Sequence, residues 1–266
     1  MLKEVPMQSE DYRHSFEYGP TDAPESALLV HGLTGSTYDV SGLGEHLASL
    51  GYRVRGVLLP GHGTKPSDLN KVGRSDWLNA VEDQWSGMAG VKHFVGLSLG
   101  GIIGAYLTAT KKIAPNTLTI ISAPVYYPKS WMHRWVIPWL YAVKKYSKKY
   151  WIKPEQFEWY SQRGKYVVIP LRGSLEAYHL AEETRPVLGR ISAPTLIVHS
   201  RHDPVVAARS VDAMSKKIVH SQICWSDEPE HRLLGSERSQ ALYQRIAEFV
   251  KSNGDRTGVH SVLERR

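Results

Sequence analysis

Ser98 lies between two glycines in Gly96-Leu-Ser-Leu-Gly100, and Gly101 follows directly. A serine hydroxyl is a weak nucleophile at neutral pH and gains reactivity only when a base stands close enough to take its proton. The residues before it, His93 to Val95, are apolar and β-prone, while Gly101-Ile-Ile-Gly-Ala-Tyr-Leu after it reads as a helix of small and apolar residues. This order predicts a strand, a sharp turn with the serine at its apex, and a helix. Gly96 and Gly100 lack the Cβ atoms that would collide where strand and helix meet. The chemistry expected of Ser98 is nucleophilic attack.

A nucleophile of this kind needs an imidazole and an acid, and in doubly wound hydrolases they follow in the order serine, acid, histidine. Thr195-Leu-Ile-Val-His-Ser-Arg-His-Asp203-Pro ends a strand-like run with Asp203 at its carboxyl edge, where open parallel sheets carry their sites. After the last strand-like run, Ser221-Gln-Ile-Cys-Trp-Ser, comes Asp-Glu-Pro-Glu-His231. In this arrangement His231 takes the proton of Ser98 and later returns it to the leaving group, and Asp203 holds the imidazole in the right tautomer. Asp227 is a spare acid that ranks below Asp203, being only four residues before the histidine. His31-Gly-Leu-Thr-Gly35 follows the first apolar strand. The backbone N–H groups of Leu33 and Leu99 are therefore the expected oxyanion hole, and His31 itself is expected to be structural.

The elements that must carry these residues alternate along the chain. Strand-like runs cover Ala27 to Val30, Tyr52 to Leu59, His93 to Gly96, Thr117 to Ser122, Thr195 to Ser200 and Gln222 to Trp225. Helical periodicity covers Ser41 to Leu50, Ser75 to Met88, Gly101 to Lys111, Val206 to Ile218 and Ser236 to Ser252. Such alternation predicts an α/β fold, a doubly wound, mostly parallel sheet covered on both faces. Residues 125–185 interrupt the alternation; structureless loops of that length are rare, so a helical cap is expected there, inserted into a core formed by residues 1–124 and 186–266. The polar stretch from Gly254 to Arg266 reads as a loosely held tail.

Taken together, His31-Gly-Leu-Thr-Gly, Leu59-Pro-Gly-His-Gly-Thr64, Asp76-Trp77, Gly-Leu-Ser98-Leu-Gly-Gly and Arg201-His-Asp203 resemble the α/β-hydrolase superfamily, in particular bacterial carboxylesterases and monoacylglycerol lipases. The resemblance runs from about Leu28 to Phe249 and is weakest in the cap. It implies hydrolysis of short to medium acyl esters or monoacylglycerols through an acyl-enzyme, with no metal and no cofactor. One departure stands out: relatives usually carry Ser or Gly with Gly just before the catalytic histidine, whereas Glu228-Pro-Glu230 precedes His231 here. The same residues are compatible with an acyl thioesterase, a small-peptide serine peptidase, or a catalytically silent ligand-binding protein.

Composition narrows the field further. The chain has 266 residues, 42% hydrophobic and 22% charged, and a mean hydropathy of −0.33, which are ordinary values for a globular protein and disfavour fibre, coiled coil and disorder. The charged N-terminal residues and the short apolar runs predict neither a signal peptide nor a transmembrane helix. Cys224 is the single cysteine, so no intramolecular disulfide is possible, and a cytoplasmic location is expected. No His-Glu-x-x-His or phosphate-loop spacing occurs. The formal charge of +7 is concentrated between Tyr126 and Tyr166, where nine Lys or Arg face two Glu. That stretch is also rich in aromatic residues. Trp131, Trp135 and Trp139 are spaced to share a helix face that Pro138 would kink. Packing of the cap and an acyl pocket, with Trp131 and Trp135 touching substrate, is the favoured reading; contact with an anionic lipid surface is the alternative. Nucleic-acid binding is not expected, as no binding motif accompanies the charge.

Overall fold

The computed structural model describes residues 12–127, 130–227, 233–234 and 239–254. The stretches Ala27-Leu-Leu-Val30 and Thr195-Leu-Ile-Val-His-Ser200 are apolar almost without interruption, the pattern of strands buried on both faces. They form the interior of the sheet. In chain order its strands are β1 (Phe16–Tyr18), β2 (Glu25–Val30), β3 (Arg53–Val57), β4 (Val91–Leu97), β5 (Thr117–Ile121), and, after the residues between them, β8 (Thr195–Ser200) and β9 (Ser221–Ser226). Among the described residues the order across the sheet is β1-β3-β2-β4-β5-β8-β9, all parallel except the edge strand β1, which runs antiparallel to β3.

Side-chain parity along each strand divides the core. Leu28, Val30, Phe94, Ile120 and Ile197 face one layer, with Trp77, Ile103 and Leu180. Leu29, Val95, Leu97, Ile121 and Val198 face the other, with Leu43, Ile246 and Val250. Each fully buried side chain of this size contributes about 1.5–3 kcal/mol, and a one-residue slip of any strand would exchange the two sets.

The covering helices are α1 (Tyr38–Ser49), the short α2 (Pro66–Leu69), α3 (Arg74–Ser86), α4 (Leu99–Ala109), α8 (Arg209–Lys217) and α9 (Gln240–Gly254). The short edge strand β1 carries no sequence pattern of its own; its Phe16 ring lies against Gly56 and Gly44, filling the space a side chain there would take.

Residues 125–185 hold a π-helical turn (Met132–Val136), α5 (Ile137–Val143), a two-stranded antiparallel ribbon of β6 (Tyr146–Lys148) and β7 (Val168–Pro170), α6 (Phe157–Gln162) and most of α7 (Leu171–Val187). Helix α7 packs on α4, and its Ala177, Leu180 and Ala181 join the main core. Arg74 at the start of α3 ties it down by ion pairs to Glu176 and Glu183, each at 2.8 Å. Among the described residues no helix is long and apolar enough to cross a membrane.

Candidate active site

Four strands end at one edge of the sheet, and the turns after them build the site. Between β4 and α4, Ser98 sits at φ 54° and ψ −111°, a left-handed region that a non-glycine residue occupies only when its surroundings enforce it. They do so here by close approach. A Cβ on Gly96 would lie 2.3 Å from the backbone of Gly100, and one on Gly100 would lie 2.2 Å from the carbonyl oxygen of Val30. Only backbone without side chains fits between β2, β4 and α4. The Ser98 N–H donates to the Ile121 carbonyl at 2.7 Å, which fixes the apex to β5.

The turn after β2 crosses directly over the serine. A Cβ on Gly32 would stand 3.1 Å from the Ser98 Cβ. Two buried histidines hold this turn. His31 Nε2 accepts from the Leu59 N–H at 3.1 Å, so its proton is on Nδ1, which donates to the Gly32 carbonyl at 2.8 Å. His62 Nε2 accepts from the Thr34 N–H at 3.1 Å, and its Nδ1 donates to Pro60 O at 3.2 Å. Both hydrogen-bond sets require neutral imidazoles. Burial holds the His31 pKa down at about 4, and burial together with repulsion from His31 holds that of His62 well below its ordinary value. His31 is thus structural, as its sequence position suggests. The role of His62 was hidden in Leu59-Pro-Gly-His-Gly-Thr64; the motif is visible, but its partner on Thr34 is a tertiary contact.

Asp203 follows β8, and its Oδ1 accepts from the N–H groups of Val205 at 2.7 Å and Val206 at 2.9 Å. Those bonds fix the carboxylate in the turn after β8, and the next two residues, Pro204 and Val205, line the same cavity as Ser98. Asp227 is different: it is 86% exposed and pairs with Arg201 at 3.3 Å. His231, with Glu228 and Glu230 before it, lies outside the described residues.

The cavity over Ser98 has a volume of about 520 Å³. Gly32, Leu33 and Thr34 form one side, and the cap closes it with Tyr127, His133, Trp151 and Tyr160. Leu99 is the first residue of α4, so its N–H is one of the donors a helix start leaves without an intrahelical partner. Tyr166 fastens residues 125–185 beside the turn after β2: its N–H donates to Thr34 O at 3.0 Å, and its OH donates to Gly61 O at 2.8 Å. Another cavity of about 570 Å³, near Glu25, His46 and Tyr52, opens at the amino end of the strands, away from Ser98.

Trp131 and Trp135 do not line the cavity. They are 58% and 64% exposed, and Trp139 is 80% exposed. The expectation of a packed aromatic face is corrected for a local reason: the π-helical turn before Ile137 and Pro138 breaks the regular helix, and α5 is short enough that only Ile137 is buried. Trp151 is the tryptophan that reaches the cavity. Among the described residues no cluster of three or more His, Cys, Asp or Glu is arranged to hold a metal ion.

A strand-turn-helix serine under a glycine-rich turn, at the carboxyl edge of a mostly parallel sheet, defines a hydrolase-type α/β architecture. The sequence profile of the alpha/beta hydrolase family matches residues 27–234. The chain belongs to that family. A carboxylesterase of Bacillus subtilis (strain 168) is 27% identical over 237 residues, covering 85% of this chain and 92% of that protein. A thermostable monoacylglycerol lipase of Bacillus sp. (strain H-257) is 38% identical over 89 residues, or 32% of this chain and 36% of that one. The solved monoacylglycerol lipase of Paleococcus ferrophilus superposes with a TM-score of 0.76 at 18% identity, covering 90% of this chain and 98% of the other, a likeness of fold.

Proposed function

We propose that the protein is a serine hydrolase of carboxylic esters, acting on short to medium acyl esters or monoacylglycerols through Ser98, His231 and Asp203. The reading rests above all on Ser98, held at φ 54° at the floor of a cavity and beneath Gly32. The names of the relatives from the two Bacillus strains agree with it. In the proposed reaction His231 takes the Ser98 proton as Oγ attacks the ester carbonyl, and the N–H groups of Leu33 and Leu99 receive the oxyanion. Collapse expels the alcohol with the proton from His231, leaving an acyl-enzyme. Water, deprotonated by the same imidazole, then releases the acid. Asp203 orients the imidazole and stabilises its charged form. No step calls for a metal or cofactor.

Labelling with a fluorophosphonate, followed by peptide mass spectrometry, tests the nucleophile: modification at Ser98 is expected, and an unreacted Ser98 in folded protein rejects the mechanism. Comparing kcat/KM for p-nitrophenyl esters, monoacylglycerols, acyl-CoAs and aminoacyl amides tests the substrate class. Esters are expected to lead; a lead by the thioesters or the amides replaces this reading with a thioesterase or a peptidase.

The exposed Trp131, Trp135 and Trp139, set in the basic stretch with Arg134, Lys144 and Lys145, favour a second role for the cap, contact with an anionic lipid surface. Sedimentation with anionic against neutral liposomes tests it, and equal binding to both rejects it.

A further inference from the structure

One wall of the cavity over Ser98 carries hydrogen-bonding groups that the protein leaves unmatched. Tyr127, His133 and Ser174 all belong to its lining. The Tyr127 ring stands edge-on to His133 and to Tyr178, with ring centres 4.8 Å and 5.7 Å apart, and His133 stacks on Tyr178 at 5.1 Å. The Tyr127 carbonyl accepts from Arg209 at 2.5 Å, which ties its backbone to α8. Packing and backbone thus place the ring. Among the described residues its hydroxyl meets no hydrogen-bonding partner, and burial alone raises its pKa. Nor is that hydroxyl sealed inside the protein, as the unpartnered hydroxyls of Thr119 and Ser122 are. Beside it, His133 Nε2 lies 3.4 Å from Ser174 Oγ, at the far limit of a hydrogen bond, and His133 Nδ1 has no partner among the described residues.

A tyrosine hydroxyl taken out of bulk water ordinarily finds a partner, because leaving it unmatched costs free energy. A phenylalanine at this position would pack the same rings without that cost. Ligand pockets are mostly apolar and carry a few polar groups that orient what enters them. The π-helical turn that holds His133 is a rare backbone form that concentrates at functional sites. The kind of group that fits follows from charge. Burial, with repulsion from His179, keeps the His133 pKa at about 4, so its imidazole is neutral at pH 7. Among the described residues no charged group bears on Tyr127 either. A carboxylate or an ammonium group would be desolvated here without a counter-charge. A hydroxyl carries no charge and both donates and accepts, as the phenol and the serine do.

We propose that Tyr127, with Ser174 and His133 beside it, forms a specificity subsite for a hydroxyl that the substrate carries in addition to its scissile ester. The subsite rests on the ester-hydrolase reading, and it selects hydroxylated esters over plain alkyl esters of the same size.

Two ester pairs that exchange a methyl for a hydroxyl test it by their kcat/KM ratios. Ethyl ω-hydroxyhexanoate against ethyl heptanoate puts the hydroxyl in the acyl part, and ethylene glycol monohexanoate against propyl hexanoate puts it in the alcohol part. Tyr127→Phe keeps the ring and removes the hydroxyl alone. In that variant the ratio of hydroxylated to methyl ester is expected to fall in one pair by roughly three- to tenfold, the range of one neutral hydrogen bond. The responding pair tells which side of the ester faces Tyr127. Ratios that Tyr127→Phe leaves unchanged in both pairs overturn the subsite, and so does an equal loss on both members of each pair, which a merely structural role produces. If Tyr127→Phe does not fold, inhibition of wild-type ester hydrolysis by amides of the same shapes serves instead: ω-hydroxyhexanamide against heptanamide, and N-hydroxyethyl hexanamide against N-propyl hexanamide. The hydroxylated member of one pair is expected to inhibit more strongly, and equal or weaker inhibition in both overturns the subsite. If no ester at all is hydrolysed, the functional reading fails by itself. Binding of the same amides to Ser98→Ala protein, by calorimetry, then decides the subsite alone, with no preference for a hydroxylated member overturning it.

Discussion

Acidification should strike this fold through His31. Its imidazole is buried and neutral at pH 7, and burial has displaced its pKa from 6.5 to about 4. As the pH falls through 6.5 the unfolded chain takes up a proton at this residue, while the folded chain does not until near pH 4. The associated stability is therefore complete above pH 6.5 and is lost progressively as the pH drops towards 4. At about 1.4 kcal/mol per pH unit of displacement, the full loss is about 3 kcal/mol, and about 2 kcal/mol of it falls between pH 7 and pH 5. That upper window separates the effect from carboxylates such as Glu17 and Glu176, whose pKa values are depressed by their arginine partners against the opposing effect of burial. Urea unfolding followed by tryptophan fluorescence at pH 7, 6 and 5, on wild type and His31→Gln, makes the measurement. The variant starts lower, because it disturbs the bonds to Leu59 and Gly32, but its pH dependence is expected to be shallower by about 2 kcal/mol over the window. Parallel losses in the two proteins would refute the claim that His31 is held neutral by burial.

Four further outcomes follow from the same contacts. Ser98→Ala is expected to lower kcat on the best ester by about 10⁶, as loss of a triad nucleophile does elsewhere; a tenfold loss measured in steady state would remove Ser98 from the reaction. Gly100→Ala forces a Cβ to within 2.2 Å of the Val30 carbonyl oxygen, so a loss of at least about 3 kcal/mol is expected in urea unfolding. Near-wild-type stability would show that β2 and α4 can part. Lys165→Met removes the buried ion pair to Asp39 and is expected to lower stability by up to about 3–5 kcal/mol, read from the denaturant midpoint; an unchanged midpoint would mean that the pair adds nothing. Trp135→Ser with Trp139→Ser should alter stability by less than about 0.5 kcal/mol while weakening sedimentation with anionic vesicles; retained vesicle binding removes these tryptophans from the lipid contact.

Local pattern was enough to read much of the framework. The apolar runs at Ala27 to Val30 and Thr195 to Ser200, the helical period of Ser41 to Leu50, and the glycines around Ser98 each depend on neighbours a few residues away, and their elements appear where the pattern places them. What escaped the sequence is what depends on distant partners. Phe16 forms an edge strand because Gly56 and Gly44 leave room for its ring, and α7 belongs to the sheet's helical cover because its Leu180 meets the core. Within 125–185, aromatic spacing alone pointed to Trp131 and Trp135, but burial is settled by the surface offered opposite a helix, and both remain exposed.

The type and order of Ser98, Asp203 and His231, the strand-turn-helix around the serine and the parallel α/β plan were determined by sequence, since residue chemistry and periodicity are local properties. Tertiary structure alone decided that His31 and His62 pin the Gly32 turn over Ser98, that Trp151 rather than Trp135 reaches the cavity, and that Lys165 turns inward to pair with Asp39. A lysine in a basic stretch looks the same on paper whether it faces water or a pocket; only the folded chain, by bringing a carboxylate 126 positions away into contact, makes the inward position stable.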